Sequence, residues 1–290
     1  MESFMKAFPA SLITRRLGVA LIALASLFVH VASNAETTLE RAKRTGEIRI
    51  GYANEAPFAY TLPDGRVTGE SPEIAAAVFD KMGIKKVSPV LTEWGGLIPG
   101  LLAGRFDVIA AGMYITPERM QQVLFTDPHY QLRDTLLVAK GNPSKLNSYA
   151  DIAKNNNAKL AVMAGTAQYQ YARAAGIPDS RIMQVPTTIA QLQAVRTRRA
   201  DAAVGTRLTM RELAAKGGNR VEALADFQDD PAHTGYGALA FRKEDKDLRD
   251  AVNGVLKDWV GSEQHLKTVG PFGFDRANLT KKTVEEIGKE

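Results

Sequence analysis

The 290-residue chain contains no cysteine. That excludes disulfides, thiolate metal sites, cysteine nucleophiles and a lipid anchor on an N-terminal cysteine. Histidine is scarce: His30, His129, His233 and His265 stand far apart, and no pair has metal-ligand spacing. No phosphate-cradling glycine loop, G-x-S-x-G or H-E-x-x-H is present. No metal or cofactor is therefore expected. Charge of one sign is also lacking. The formal net charge of +5 comes from 37 basic and 32 acidic residues spread along the chain, which gives no basis for nucleic-acid binding. Aromatics make up only 7% of residues, so any cluster of them carries weight. With 45% hydrophobic residues, the composition is that of a folded globular protein.

Only one long apolar run exists, Leu17 to Val31, preceded by Lys6, Arg15 and Arg16 and followed by Ala32, Ser33 and Ala35. Its length falls short of the ~20 residues of a spanning helix. The pattern is that of a secretory signal peptide over residues 1–35, cleaved near Ala35, and a short uncleaved anchor is the lesser alternative. The Arg15-Arg16 pair suits twin-arginine export, but Gly18 stands where that signal wants a large apolar residue. Either route delivers an exported, periplasmic product.

Beyond it, short β-rich runs alternate with helical patterns, which predicts an α/β protein with parallel layers. Strands are expected at Ile48–Tyr52, Phe106–Ala110, Thr135–Ala139, Leu160–Met163, Ala200–Gly205 and Tyr236–Phe241. Ser71-Pro72-Glu73 reads as a helix start with Ser71 as N-cap. Thr116-Pro117-Glu118 repeats that signal. Ile189, Leu192 and Val195 mark one helix face, and Leu248, Val252, Leu256 and Trp259 another. Breaks after Ala139 and at Asp229-Asp230-Pro231 suggest two lobes. The first takes 36–139 and returns for 235–290; the second takes 140–234. Two strand-like connections would form a hinge.

Polar and aromatic residues follow the strands, where α/β folds place ligands. Arg119 sits in a helix first turn, where a cation opposes the macrodipole. A bound carboxylate would rationalise it, and so would a surface pairing with Glu118 or Asp127. Phe58, Trp94 and Tyr114 are each ordinary packing residues alone, but together they could face a delocalised cation. Glu55 could bind such a cation's N–H groups, or be a solvated loop acid.

The motifs Gly51-Tyr52…Ala56-Pro57-Phe58, Gly69-Glu70-Ser71-Pro72-Glu73-Ile74, Leu97-Ile98-Pro99-Gly100-Leu101…Gly104-Arg105-Phe106-Asp107 and Met113…Thr116-Pro117-Glu118-Arg119 resemble the type II periplasmic solute-binding proteins of polar amino-acid ABC importers. The resemblance covers nearly all of residues 45–275. Asn54 to Tyr60, Gly141-Asn142-Pro143, Gly235-Tyr236-Gly237, Phe241 to Asp245 and Pro271-Phe272-Gly273-Phe274 are most similar to the ectoine/hydroxyectoine-binding branch. It implies a two-lobed fold that closes on one small zwitterion and presents it to an inner-membrane permease and ATPase. By position, it implies a cage of Phe58, Trp94 and Tyr114, a cation-binding Glu55, a carboxylate clamp at Arg119 and a second-lobe donor at Thr166. The branch carries Tyr and Phe where this chain has Trp94 and Tyr114. Amino-acid binders of the family usually hold the α-ammonium with an Asp after a second-lobe strand, where this chain has Thr206. The expected protein is thus a monomeric, non-enzymatic ectoine or hydroxyectoine binder. The alternatives are a polar amino-acid binder of the same fold, and, less favoured, an exported dehydratase with Glu55 as acid/base.

Overall fold

The computed structural model describes residues 36–289. The expected signal peptide, 1–35, lies outside the described residues. Two large sheets organise the rest, beside a small two-stranded one of Tyr60–Thr61 and Val67–Thr68. The first has the strand order Lys86–Leu91, Glu47–Tyr52, Val108–Tyr114, Gly235–Phe241, Leu124–Phe125, and Tyr130–Leu132 also pairs with Gly235–Phe241. The second has the order Ile182–Val185, Leu160–Met163, Ala202–Thr206, Asp134–Ala139, Val221–Ala223. The chain passes from the first sheet to the second between Leu132 and Asp134, and returns between Ala223 and Gly235. Among the described residues no helix is long and apolar enough to cross a membrane.

Two expectations change here. The layers are mixed rather than purely parallel: Glu47–Tyr52 runs parallel to both its neighbours, but Gly235–Phe241 is antiparallel to Val108–Tyr114. In the second sheet Asp134–Ala139 is likewise antiparallel to Ala202–Thr206. Both antiparallel strands arrive from the other lobe rather than through a helical crossover, so no right-handed βαβ unit sets their direction. The Asp134–Ala139 strand, expected to end the first lobe, belongs to the second sheet. Its Leu136 and Val138 complete a core with Leu160, Val162, Ala202 and Val204, and Leu137 fills the opposite face.

Helix starts follow the sequence signals unevenly. Thr116 caps Pro117–Met120, accepting from Arg119 N at 3.4 Å. Ser71 is not an N-cap: the helix spans Glu70–Lys81 and its N-cap is Gly69, at φ +128°. The first helical N–H groups go to backbone instead, Glu70 N to Pro57 O (3.1 Å) and Ser71 N to Phe58 O (3.0 Å). This satisfies donors that a side-chain cap would otherwise meet, and it ties Phe58 to a rigid helix. In Thr188–Arg196, Leu192 and Val195 are buried as expected, but Ile189 is 46% exposed. Leu248, Val252, Leu256 and Trp259 are all buried in Lys246–Trp259.

Phe58 is held from the other side by a glycine. Gly112, within the central Val108–Tyr114 strand, has φ +70°, and a Cβ there would overlap the Phe58 ring. Gly235 similarly leaves room for the Tyr114 ring. Gly112→Ala combines a left-handed backbone, unfavourable with a side chain, with overpacking of about 1–3 kcal/mol. The expected result is a lowered midpoint in urea unfolding and a Phe58 ring pushed into the cavity described next. An unchanged midpoint would show that the ring moves freely.

Candidate functional site

The cavity lies between the two large sheets, where about 410 Å³ is free of protein atoms, part of it open to solvent. Glu55, Phe58, Trp94, Tyr114, Arg119 and Thr166 all line it. Residues separated by more than 100 positions are thus brought to one place, at the ends of the Glu47–Tyr52, Val108–Tyr114 and Leu160–Met163 strands. Met163, Gln168, Gln191 and Thr206 complete much of the second-lobe wall.

Glu55 is 7% exposed, so it is not a solvated loop acid. Its Oε1 accepts from Thr209 Oγ1 at 2.9 Å. Thr206 Oγ1 donates to Thr209 Oγ1 at 3.0 Å, and both hydroxyls are thereby aimed toward the carboxylate. Thr206 also caps the Arg207–Gly217 helix, accepting from Thr209 N at 3.2 Å. Burial raises the Glu55 pKa from 4.5 to about 7, and the Thr209 bond only partly opposes that.

Arg119 is 8% exposed and forms no pair with Glu118 or Asp127. Its Nη1 donates to Tyr114 O at 2.8 Å, and its Nη2 reaches across to Gly165 O at 3.1 Å. Burial pulls its pKa down to about 10, which marks a guanidinium short of anionic company. Trp94 stands beside it, with Arg119 Cζ 5.7 Å from the ring centroid, and Trp94 Nε1 donates to the same Gly165 O at 3.2 Å. Gly165 O therefore gathers two first-lobe side chains. Thr166 Oγ1 donates to Met163 O at 2.8 Å, so its hydroxyl proton is engaged and its lone pairs are what it can offer.

Phe58 sits in an aromatic stack that reaches behind the cavity: Tyr130 lies 5.5 Å and Phe274 5.6 Å away, centroid to centroid. Tyr114 OH donates to Asp134 Oδ1 at 3.4 Å. Asp134, 1% exposed, also accepts from Gln168 Nε2 at 3.0 and 2.9 Å. Burial raises its pKa from 3.8 to about 7. Among the described residues, Glu55, Asp134 and Arg119 form no ion pair with one another, nor does any other charged side chain neutralise them. Glu55 and Arg119 line the cavity, and Asp134 lies behind its wall, held by Tyr114 and Gln168; buried charges without partners are costly unless a ligand supplies what is missing.

Asp134, Gln168, Gln191 and Thr209 were not anticipated. Their signals were present. Asp134 is the one charge in the apolar strand Asp134–Ala139, and Gln191 shares the buried face of Leu192 and Val195. Among the described residues no group of three or more His, Asp or Glu could hold a metal ion.

Comparison with known proteins places this geometry. The model of the bacterial extracellular solute-binding proteins, family 3, matches residues 48–268. A probable amino-acid ABC transporter periplasmic-binding protein, y4tE of Sinorhizobium fredii, is 38% identical over 272 residues, covering 90% of this chain and 89% of the relative. A probable histidine-binding protein of Campylobacter jejuni is 28% identical over 237 residues, 80% of this chain and 88% of that one. Among solved structures, EhuB in complex with hydroxyectoine superposes with a TM-score of 0.82 at 35% identity, covering 87% of this chain and 98% of the other. The chain thus has the two-lobed type II fold and is the substrate-binding component of an ABC importer of the amino-acid type. It belongs to the family-3 bacterial extracellular solute-binding proteins.

Proposed function

We propose that the cavity captures ectoine or hydroxyectoine in the periplasm, by closure of the two lobes, for delivery to a membrane permease and its ATPase. The observation that carries this reading is the convergence of three aromatic side chains, an acid and an arginine on one cavity, with neither charge in an ion pair. Phe58, Trp94 and Tyr114 suit a cation whose charge is spread over a ring. Glu55 accepts from its N–H groups, Arg119 takes its carboxylate, and Thr166 contributes a hydroxyl from the second lobe. The crossings at Arg133 and at the return before Gly235 serve as the hinge, and closure is a population shift stabilised by contacts from both lobes. The mature protein begins after Ala35, acts as a monomer and returns its ligand chemically unchanged.

Isothermal titration of the mature protein with ectoine, hydroxyectoine, glycine betaine and the common amino acids tests the reading. Ectoine or hydroxyectoine is expected to bind tightest, and mass spectrometry of the released ligand to recover it intact. A polar amino acid is the second reading, supported by the histidine-binding relative and by Asp134, which lies across the strand pair from Thr206. An amino acid that outcompetes ectoine would establish it. Alanine at Phe58, Trp94 or Tyr114 should each cost about 1–2 kcal/mol of binding. Leucine at those positions keeps apolar area but loses the ring quadrupole. Full binding with leucine at all three would mean the cage is merely hydrophobic.

A further inference from the structure

The first lobe supplies the cavity with rings and charge. The second supplies two buried amides, Gln168 and Gln191, 4% and 1% exposed. Gln168 occupies the first turn of Ala167–Ala174, and its Nε2 donates to both oxygens of Asp134. Two contacts to one carboxyl group, at 3.0 and 2.9 Å, set the amide nitrogen against it and turn Oε1 away, and the ionised form, which can only accept, enforces that orientation. Gln191 Nε2 donates to Val204 O at 2.8 Å and to Ala161 O at 3.3 Å. Those carbonyls also only accept, so this amide is fixed the same way round. Neither Oε1 has a hydrogen-bond partner among the described residues, and both side chains line the cavity.

We propose that Gln168 and Gln191 form an acceptor wall that reads N–H or O–H donors on the bound cation, with Asp134 as the positioning residue that holds the Gln168 carbonyl inward. The proposal rests on the zwitterion reading above and adds a selectivity that an aromatic cage lacks. Aromatic faces attract a quaternary ammonium as readily as a ring amidinium. A trimethylated nitrogen carries no donor, and its binding would leave Glu55 and two amide oxygens desolvated and unmet. A ring amidinium, or an α-ammonium, brings N–H groups to them. The wall therefore favours N–H-bearing cations over methylated ones of similar size and charge. Tyr114 OH also donates to Asp134, so one buried carboxylate orients an amide from the second lobe and a phenol from the first.

Titration of the mature protein with ectoine, hydroxyectoine, arginine and glycine betaine tests this. Glycine betaine is expected to bind far more weakly than the tightest N–H-bearing member. Gln168→Met keeps length and bulk but lacks the carbonyl. It should lower affinity for that member by roughly 10- to 100-fold, the value of a hydrogen bond to a charged group, and leave betaine binding no weaker, because the carbonyl that betaine cannot meet is gone. Gln191→Met should act in the same direction, and it stands in if Gln168→Met fails to fold. Asp134→Asn offers a donor as well as an acceptor, so the Gln168 amide can invert. The ratio of N–H-bearing ligand to betaine should then fall, and adding Asp134→Asn to Gln168→Met should not lower it further. A purely structural role for Asp134 would weaken both ligands equally and overturn the positioning claim. Betaine binding as tight as ectoine, or wild-type affinities in both methionine variants, would overturn the wall. If arginine binds and ectoine does not, the ectoine reading fails on its own, and the same variants measured with arginine still decide the wall.

Discussion

Arg119→Ala is expected to cost about 2–5 kcal/mol of ligand binding, as truncation of one member of a buried charge pair does. The guanidinium is well placed for one task. Two of its donors are spent on Tyr114 O and Gly165 O, which fix its plane with respect to both lobes. The remaining donors have no protein acceptor among the described residues, although the side chain is 8% exposed. Burial without an anion has pulled its pKa down to about 10. A cation held this way in the first turn of a helix gains nothing from the macrodipole, and in the proposed function a ligand carboxylate offsets its desolvation. Arg119→Lys should rescue only in part, because one ammonium cannot hold two carbonyls and also meet a carboxylate through a planar fork. Titration of the wild type and the alanine variant with ectoine and with its carboxamide separates the roles. The carboxamide should bind the wild type weakly, and the alanine variant should no longer distinguish the two ligands. Wild-type affinity for ectoine in Arg119→Ala, with an unchanged melting temperature, would remove Arg119 from the site.

Much of this arrangement was legible in the chain because it rests on local rules. Thr116-Pro117 announces a helix start, and Arg119 three residues on is then necessarily in the first turn. Leu160–Met163 and the buried face of Lys246–Trp259 follow from apolar pattern. What was not legible depends on pairing across the fold. Asp134–Ala139 reads as a strand, but which sheet it joins is decided by its register with Ala202–Thr206 and by whose core Leu136 fills. Ser71 looks like a cap until Gly69 brings the carbonyls of Pro57 and Phe58 onto the helix N-terminus. Asp134 and the two glutamines act through contacts 13 to 34 residues away in sequence, which no spacing rule reaches. Phe274 likewise backs Phe58 from the far end of the chain.

Closure of the empty protein should depend on pH, and Glu55 sets the direction. In the structure burial raises its pKa from 4.5 to about 7; with the lobes apart the carboxyl would meet water and return toward the ordinary value. Below 4.5 the group is protonated in both conformations and imposes no penalty. As pH rises from 4.5 toward 7, the closed form must take up a proton or bury a charge, and the penalty grows. Above 7 it is complete, at ~3 kcal/mol against empty closure. A cationic ligand of the kind proposed would remove the penalty by pairing with the carboxylate, so closure at neutral pH is expected chiefly of the loaded protein. The radius of gyration of the ligand-free protein, measured by small-angle X-ray scattering, should therefore shrink as pH falls from 8 to 5, while that of the saturated protein stays small throughout. Glu55→Gln should make the empty protein at pH 8 more compact than the wild type at pH 8, and on the proposed reading should weaken ectoine by removing the charge that pairs with it. Asp134, raised to about 7 by the same burial, titrates in this window too, so some pH dependence should survive in Glu55→Gln and vanish when Asp134→Asn is added. An empty wild type whose dimensions do not change with pH, together with a Glu55→Gln variant of the same size, would show that burying this carboxylate does not govern closure.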